Sequence, residues 1–200
     1  DGKIVRVRPM RYGWKYKKWI NIPLTIYKKK PYVNLPINMK GDTTIFANLL
    51  IDSGASDALW LFPGTNDSII YKEEGTELFL GQGLNGNIYG KRGLIRGLHI
   101  DGLFMENITV SYPDTTSIKN SIKLDIPGRN GSIGGEILRR FDVIFDYPNK
   151  QVLLKKNKNF TDKFYFNLSG IEVETPFVGM PIYQISQVRK ESPADLAGVQ

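Results

Sequence analysis

Polar and apolar residues alternate with period two where the chain first becomes regular. Val33, Leu35 and Ile37 alternate with Tyr32, Asn34 and Pro36, the spacing of a strand with one buried face. Lys40-Gly41-Asp42 is a turn signal, and residues 45–51 return as a second strand. The pair reads as a hairpin that delivers Asp52. Residues 59–62 are apolar again, and Pro63-Gly64 ends that run. Between residues 78 and 100, Gly81, Gly83, Gly86, Gly90, Gly93 and Gly97 punctuate an apolar set of Leu78, Leu80, Ile88, Leu94 and Ile95. That pattern predicts strands joined by flexible hairpins, with residues 83–87 as an exposed tip. Ile108 and Val110 predict a further strand, and residues 114–132 a polar loop around a short strand. Residues 134–141 read as a short helix with Ile137, Leu138 and Phe141 apolar. Residues 143–145, the turn at 147–150 and residues 152–154 read as a closing hairpin. Many short strands, glycine-rich turns and one short helix predict a mainly β fold, a small closed barrel.

The character changes near residue 157. Residues 158–176 are polar and aromatic and read as a linker. Residues 183–188 then read as a strand and residues 192–198 as a short helix. Ser192 suits its N-cap, Pro193 its first position and Gly198 its C-cap. A strand and a helix start cannot bury a core, so residues 177–200 are expected to be part of a second domain. Ile4, Val5 and Val7 give residues 3–8 the look of a strand with no partner turn. The expected layout is therefore a tail of a preceding lobe, or a linker, at 1–20, a barrel lobe at 21–157, a linker at 158–176 and a partial domain at 177–200.

Composition narrows the chemistry. Hydrophobic residues make up 41% of the 200, enough for a core. No run approaches the roughly 20 apolar residues of a membrane-spanning helix, and Asp1-Gly2-Lys3 does not begin a signal-peptide pattern. There is no cysteine, which excludes disulfides, thiol nucleophiles and cysteine-metal sites. The single histidine, His99, excludes a histidine-rich metal site and reads as a structural or surface residue in a strand. No cofactor or metal is expected. The spacing Gly81-x-Gly83-x-x-Gly86 lacks the amphipathic helix that a dinucleotide site needs. The net charge of +7 is carried largely by clusters such as Lys28-Lys29-Lys30 and Lys155-Lys156 near expected strand ends. There they solvate connections and protect edges, and nucleic acid is not an expected partner. Carboxylates remain as the main candidates for acid–base chemistry.

Asp52 is the foremost of these. It follows the buried run Leu49-Leu50-Ile51 and precedes Ser53-Gly54-Ala55-Ser56. Taken alone, the stretch has two readings. Aspartate caps its own backbone in turns. Alternatively, a buried strand and a tight loop of small residues hold a carboxylate rigidly at the base of a cleft. Two such carboxylates within hydrogen-bonding reach share a proton, one acting as base and the other as acid. Asp57, farther along the loop, either reaches substrate or is solvated, and solvation is the favoured reading.

Residues 50–56, Leu-Ile-Asp-Ser-Gly-Ala-Ser, resemble the aspartic protease signature of two apolar residues, Asp, Ser or Thr, Gly, then Ala or Ser. Residues 132–141, Ser-Ile-Gly-Gly-Glu-Ile-Leu-Arg-Arg-Phe, are similar to the apolar-glycine entry into that family's short helix, and residues 142–152 to its final hairpin. The resemblance to a retropepsin- or pepsin-like lobe covers roughly residues 20–156. It implies that Asp52 is catalytic, that Ser53, Gly54, Ala55 and Ser56 support its loop, and that Tyr89 and Gly86 belong to a substrate-covering hairpin. It implies peptide or protein as substrate and a second Asp, from another lobe of the same chain or a second subunit. Only one Asp-Ser/Thr-Gly motif is present, so this chain holds half of such a pair. Residues 192–198, Ser-Pro-Ala-Asp-Leu-Ala-Gly, resemble a helix of PDZ domains in bacterial exported proteases. That second resemblance implies a bacterial cell-envelope or periplasmic protein. The competing function is a non-catalytic peptide- or partner-binding module with the same fold.

Overall fold

Alternation in the first hairpin becomes a buried wall. Strand β3 (Lys30–Asn38) buries Val33, Leu35 and Ile37, and β4 (Thr44–Ile51) buries Ile45, Ala47 and Leu49 against it. The two pair antiparallel, from Asn38 opposite Thr44 to Tyr32 opposite Leu50. The alternation stops at the end of β4, where Leu49, Leu50 and Ile51 are all buried. A strand that is covered on both faces must lie inside the molecule, and this end of β4 does.

The computed structural model describes residues 19–41, 43–71, 78–83, 86–114, 116, 128–165, 167, 169–177, 179–190 and 192–199. The strand expected at residues 3–8 lies outside them, as do Leu84 and Asn85 of the expected hairpin tip and residues 117–127 of the expected loop.

The remaining strands are β1 (Ile20–Pro23), β2 (Thr25–Tyr27), β5 (Leu59–Leu61), β6 (Leu78–Gly83), β7 (Gly86–Ile100), β8 (Leu103–Pro113), β9 (Arg129–Ile133), β10 (Phe141–Asp146), β11 (Gln151–Lys156), β12 (Ile171–Glu174) and β13 (Gln184–Val188). Two single-turn helices are α1 (Gly135–Leu138) and α2 (Pro193–Leu196). The main sheet runs β2-β3-β4-β9-β5-β8-β7-β6. A further pairing of β3 with β7, Ile37 opposite Leu98 and Asn38 opposite Gly97, closes β3, β4, β9, β5, β8 and β7 into a ring. Closure removes the exposed edges that an open sheet would leave. Ile37, Leu49, Leu59, Leu98 and Ile108, each with no exposed surface, belong to its core. A side chain of that size buried completely contributes about 1.5–3 kcal/mol. A second sheet, β1-β11-β10, joins the same core through Ile22, Val152 and Leu154.

Three expectations change. The glycines between 78 and 100 do not punctuate several flexible hairpins: β7 is one continuous strand of 15 residues through Gly90, Gly93 and Gly97. The reason is close approach. A Cβ at Gly90 would lie 2.2 Å from the Tyr112 carbonyl oxygen, and one at Gly97 would lie 2.4 Å from that of Met105, both on the partner strand β8. The short strand expected within the polar stretch 114–132 is β9, but it is not polar surface: its five residues are all buried in spite of the sequence Arg-Asn-Gly-Ser-Ile. Its polar groups are matched: Arg129 donates to the Gly131 carbonyl and to Ser132 Oγ, and Asn130 bridges the Asn48 amide and Thr65. The helix expected over 134–141 is shorter. Arg140 N–H bonds to Ile137, and the Arg140 carbonyl accepts the Asn157 amide, so Phe141 already begins β10.

The stretch expected as a linker carries structure. Phe160 and Phe164 pack on the barrel core, and β12 pairs antiparallel with β13. The predicted N-cap of α2 is present: Ser192 Oγ accepts the Asp195 amide and Pro193 is the first helical residue; the C-cap is Ala197 rather than Gly198, which follows it with φ +80°. His99 is half-buried in β7, its ring 4.7 Å from that of Phe104.

Candidate active site

Asp52 stands where β4 leaves the barrel wall. Strand β9 lies beside β4 in parallel register, Ile51 opposite Ile133, and the Asp52 amide bonds to the Ile133 carbonyl at 2.9 Å. The chain then turns back: the Ala55 amide reaches the Asp52 carbonyl at 3.3 Å and the Gly54 amide donates to Asp52 Oδ1 at 3.0 Å. That last bond aims the carboxylate, because a backbone amide cannot swing away as a side chain can. Asp52 is half-buried, while Ser53, Gly54 and Ser56 are exposed.

The second half of the loop is held by α1. The first amides of any helix lack partners within it. Here Gly134 N–H donates to the Ala58 carbonyl at 2.9 Å, Gly135 N–H to that of Ala55 at 2.6 Å and Glu136 N–H to that of Asp57 at 3.4 Å. No side chain caps α1 at Gly134. The loop carbonyls take that role. A Cβ at Gly134 would lie 2.0 Å from the Asp57 carbonyl oxygen, so only glycine permits this approach. The constraint at Gly54 is milder: an added Cβ would lie 3.3 Å from Asp52 Oδ1. The small residues expected around Asp52 thus matter unequally, and the strictest demand falls about eighty positions away.

Below α1, Glu136 ties the turn to the following segment. It accepts from Arg139 at 2.7 and 2.9 Å and from Arg140 at 2.9 Å. Partial burial pushes its carboxyl up, but the hydrogen bonds from Arg139 and then Arg140 outweigh this and hold it below the ordinary carboxylate value. Arg140 is fully buried, stacks 3.8 Å over the Phe164 ring and donates to the carbonyls of Glu136, Asp162 and Lys163.

Gly86 and Tyr89 lie on β7, in the hairpin with β6. Tyr89 is partly exposed; its ring packs edge-on 5.9 Å from Phe79, and its hydroxyl accepts from Asn87 Nδ2 at 3.3 Å. This hairpin is joined to the Asp52 loop lower down, through Arg92 of β7 and Asp57, whose closest atoms are 3.5 Å apart. Among the described residues no group of His, Cys, Asp or Glu is arranged to hold a metal ion.

Asp57 departs from the expectation of a solvated residue. It is not a solvated loop carboxylate. Its Oδ2 accepts Trp60 Nε1–H at 2.7 Å and Ser111 Oγ–H at 2.8 Å, and its Oδ1 faces Arg92. Trp60, three positions on, was a visible sign of a local partner. Ser111 and Arg92 come from β8 and β7, and no local pattern announces them.

No protein-family model and no curated protein sequence matches the chain. Among solved structures it is similar to a retropepsin-like aspartic protease from Rickettsia conorii, at 16% identity and a TM-score of 0.41, over 67% of this chain and 98% of that one. So loose a likeness carries no assignment by itself. The functional reading rests on the motif and on the loop geometry around it.

Proposed function

We propose that residues 21–157 form one lobe of an aspartic endopeptidase and that Asp52 is one carboxylate of its catalytic pair. The observation that carries this reading is the loop itself. A carboxylate at the end of a buried strand accepts a backbone amide at 3.0 Å, and the loop behind it is fixed by the amides of α1. An ordinary turn has no need of a distant helix to hold it. Peptide cleavage in this scheme needs a second Asp, from another lobe or a second copy of the chain. One carboxylate, ionised, takes a proton from water as its oxygen attacks the scissile carbonyl carbon. The other, protonated, gives its proton to the carbonyl oxygen. Collapse of the tetrahedral intermediate, with a proton passed to the amide nitrogen, breaks the C–N bond. Ser53, Gly54, Ala55 and Ser56 support the loop, and Gly86 and Tyr89 contact substrate from the hairpin. The substrate is an extended peptide or protein segment, added as a strand.

Residues 177–200 we assign to the start of a PDZ-like domain, with residues 158–176 leading into it and 1–20 belonging to a preceding lobe or linker. The support is the Ser192 cap of α2 and the strand β13 before it. Such a domain pairs with exported bacterial proteases, which favours the cell envelope as the location. Among the described residues no helix is long and apolar enough to cross a membrane.

The test is cleavage of a peptide library from acidic to neutral pH, with and without pepstatin. It compares this chain with a version carrying whatever precedes it in its gene. Asp52→Asn should abolish cleavage; cleavage at the normal rate would end this reading. Binding of peptides without Asp52-dependent cleavage would favour the binding-module alternative, for which Phe177, Ile182 and Tyr183 supply exposed apolar contacts.

A further inference from the structure

Arg92 occupies an unusual place. It lies on β7, in the hairpin that carries Tyr89, and its guanidinium is mostly buried, with 19% of the side chain exposed. One end, Nη2, stands 3.5 Å from Asp57 Oδ1. The other, Nη1, stands 3.4 Å from Glu172 Oε1 on β12. A planar guanidinium can serve two carboxylates at once where an ammonium is a point charge. Asp57 in turn holds the Asp52 loop from both sides, its carboxylate bound by Trp60 and Ser111 and its carbonyl bound by the Glu136 amide of α1. A continuous set of polar contacts therefore runs from β12 to the loop that aims Asp52.

The seam it crosses is loosely filled. Arg92 lines two clefts, a polar one with Asp57, Ser111, Tyr165 and Asn167, and a mixed one with Leu78, Phe79, Glu172 and Val188. The apolar core of the barrel includes no described residue beyond Phe164. The β12–β13 hairpin thus lies outside that core and is tied to the barrel by Arg92, held between the carboxylates of Asp57 and Glu172. Such a contact separates at far lower cost than an apolar one.

We infer that Asp57 is a positioning residue for the Asp52 loop, and that Arg92 makes its setting depend on whether the β12–β13 hairpin is docked. This rests on the reading of Asp52 as catalytic. When the hairpin is docked, Glu172 shares the Arg92 charge and fixes the direction in which Arg92 meets Asp57. When the hairpin is displaced, Arg92 is free to rotate toward solvent, and Asp57 keeps only Trp60 and Ser111. A ligand that draws β12–β13 away from the barrel would slacken the loop without touching Asp52.

The experiment uses the full-length protein. It follows amide exchange of residues 52–57 together with kcat and KM for a cleaved peptide, in wild type, Glu172→Gln, Arg92→Ala, Arg92→Lys, Asp57→Asn and Asp52→Asn. Removing one partly exposed ion pair should speed loop exchange by about threefold in Glu172→Gln and by more in Arg92→Ala. The kcat should fall in parallel while KM changes less than about twofold, since positioning acts on the chemical step. Arg92→Lys should fall between wild type and Arg92→Ala, because a lysine can hold one carboxylate but not both. Asp57→Asn keeps an acceptor for Trp60 and Ser111 and loses the charge that Arg92 sees. Its effect should not add to that of Glu172→Gln. Unchanged loop exchange in both Glu172→Gln and Arg92→Ala would overturn the coupling, whatever the enzyme does. Loop exchange that responds in a protein showing no Asp52-dependent cleavage would leave the coupling standing and remove the peptidase reading instead.

Discussion

The barrel and the C-terminal segment from Ile171 onward use apolar residues in opposite ways. In the barrel, Ile37, Leu49, Leu59 and Ile108 are fully enclosed by a ring of strands. In the C-terminal segment Val173, Phe177, Met180, Ile182, Tyr183, Ile185 and Leu196 are exposed, Leu196 at 80%. The C-terminal segment has local order nonetheless, since Ser192 caps α2 and β12 pairs with β13. Good local geometry therefore does not make a core. Hydrophobic burial comes only when strands distant in sequence close around one another.

The comparison sharpens most at Arg140. Arg140→Ala removes a buried cation from between Glu136 and Phe164 and leaves carbonyls without their donor. It should cost about 3–5 kcal/mol, read as a shift in the urea midpoint of the barrel transition. Gly134→Ala comes next. With backbone oxygen 2.0 Å from the new Cβ, α1 and the Asp52 loop must separate. About 1–3 kcal/mol of stability should go, and peptide cleavage should fall far more than stability alone accounts for. Equal cleavage by the two proteins would show that the helix does not set the loop.

Acid should weaken the barrel through its held carboxylates. Glu136 is one; Asp146 is the other, buried, which pushes its carboxyl up, while hydrogen bonds from Asn149 and Gln151 at 2.7 Å and from the Asn149 amide bring it below the ordinary value. Both are depressed in the folded state, so the unfolded chain binds protons first as pH falls. Their contribution is complete above the unfolded values of about 4 and is lost as pH drops through the lower folded ones. Glu136→Gln and Asp146→Asn should each flatten the slope of stability against pH in that window; an unchanged slope would refute the assignment. The smallest effect belongs to the other region. Leu196→Ala should alter stability by less than about 0.5 kcal/mol in a chemical melt of this chain.

Much of this was legible in sequence, for physical reasons that differ from place to place. The β3–β4 hairpin and its arrival at Asp52 follow from side-chain alternation, which any strand with one buried face must show. The α2 cap follows from Ser, Pro and Gly at positions where each has a local conformational advantage. The interior of β9 was hidden, because Arg129, Asn130 and Ser132 look solvated until their partners on other strands are known. The length of β7 was hidden too. A glycine that permits close approach and one that bends the chain are the same letter.

The sequence alone determined a mainly β chain and the position of Asp52 at a strand end. Those are consequences of periodicity and of residue types whose preferences act over a few neighbours. Only the tertiary structure decided that the barrel closes through β3 and β7, that α1 donates its amides to the Asp52 loop, and that Asp57 is held by Ser111 and Arg92. Each of these joins groups far apart along the chain. Their energy comes from burial and hydrogen bonds that form once the distant strands are packed together, and no local pattern records them.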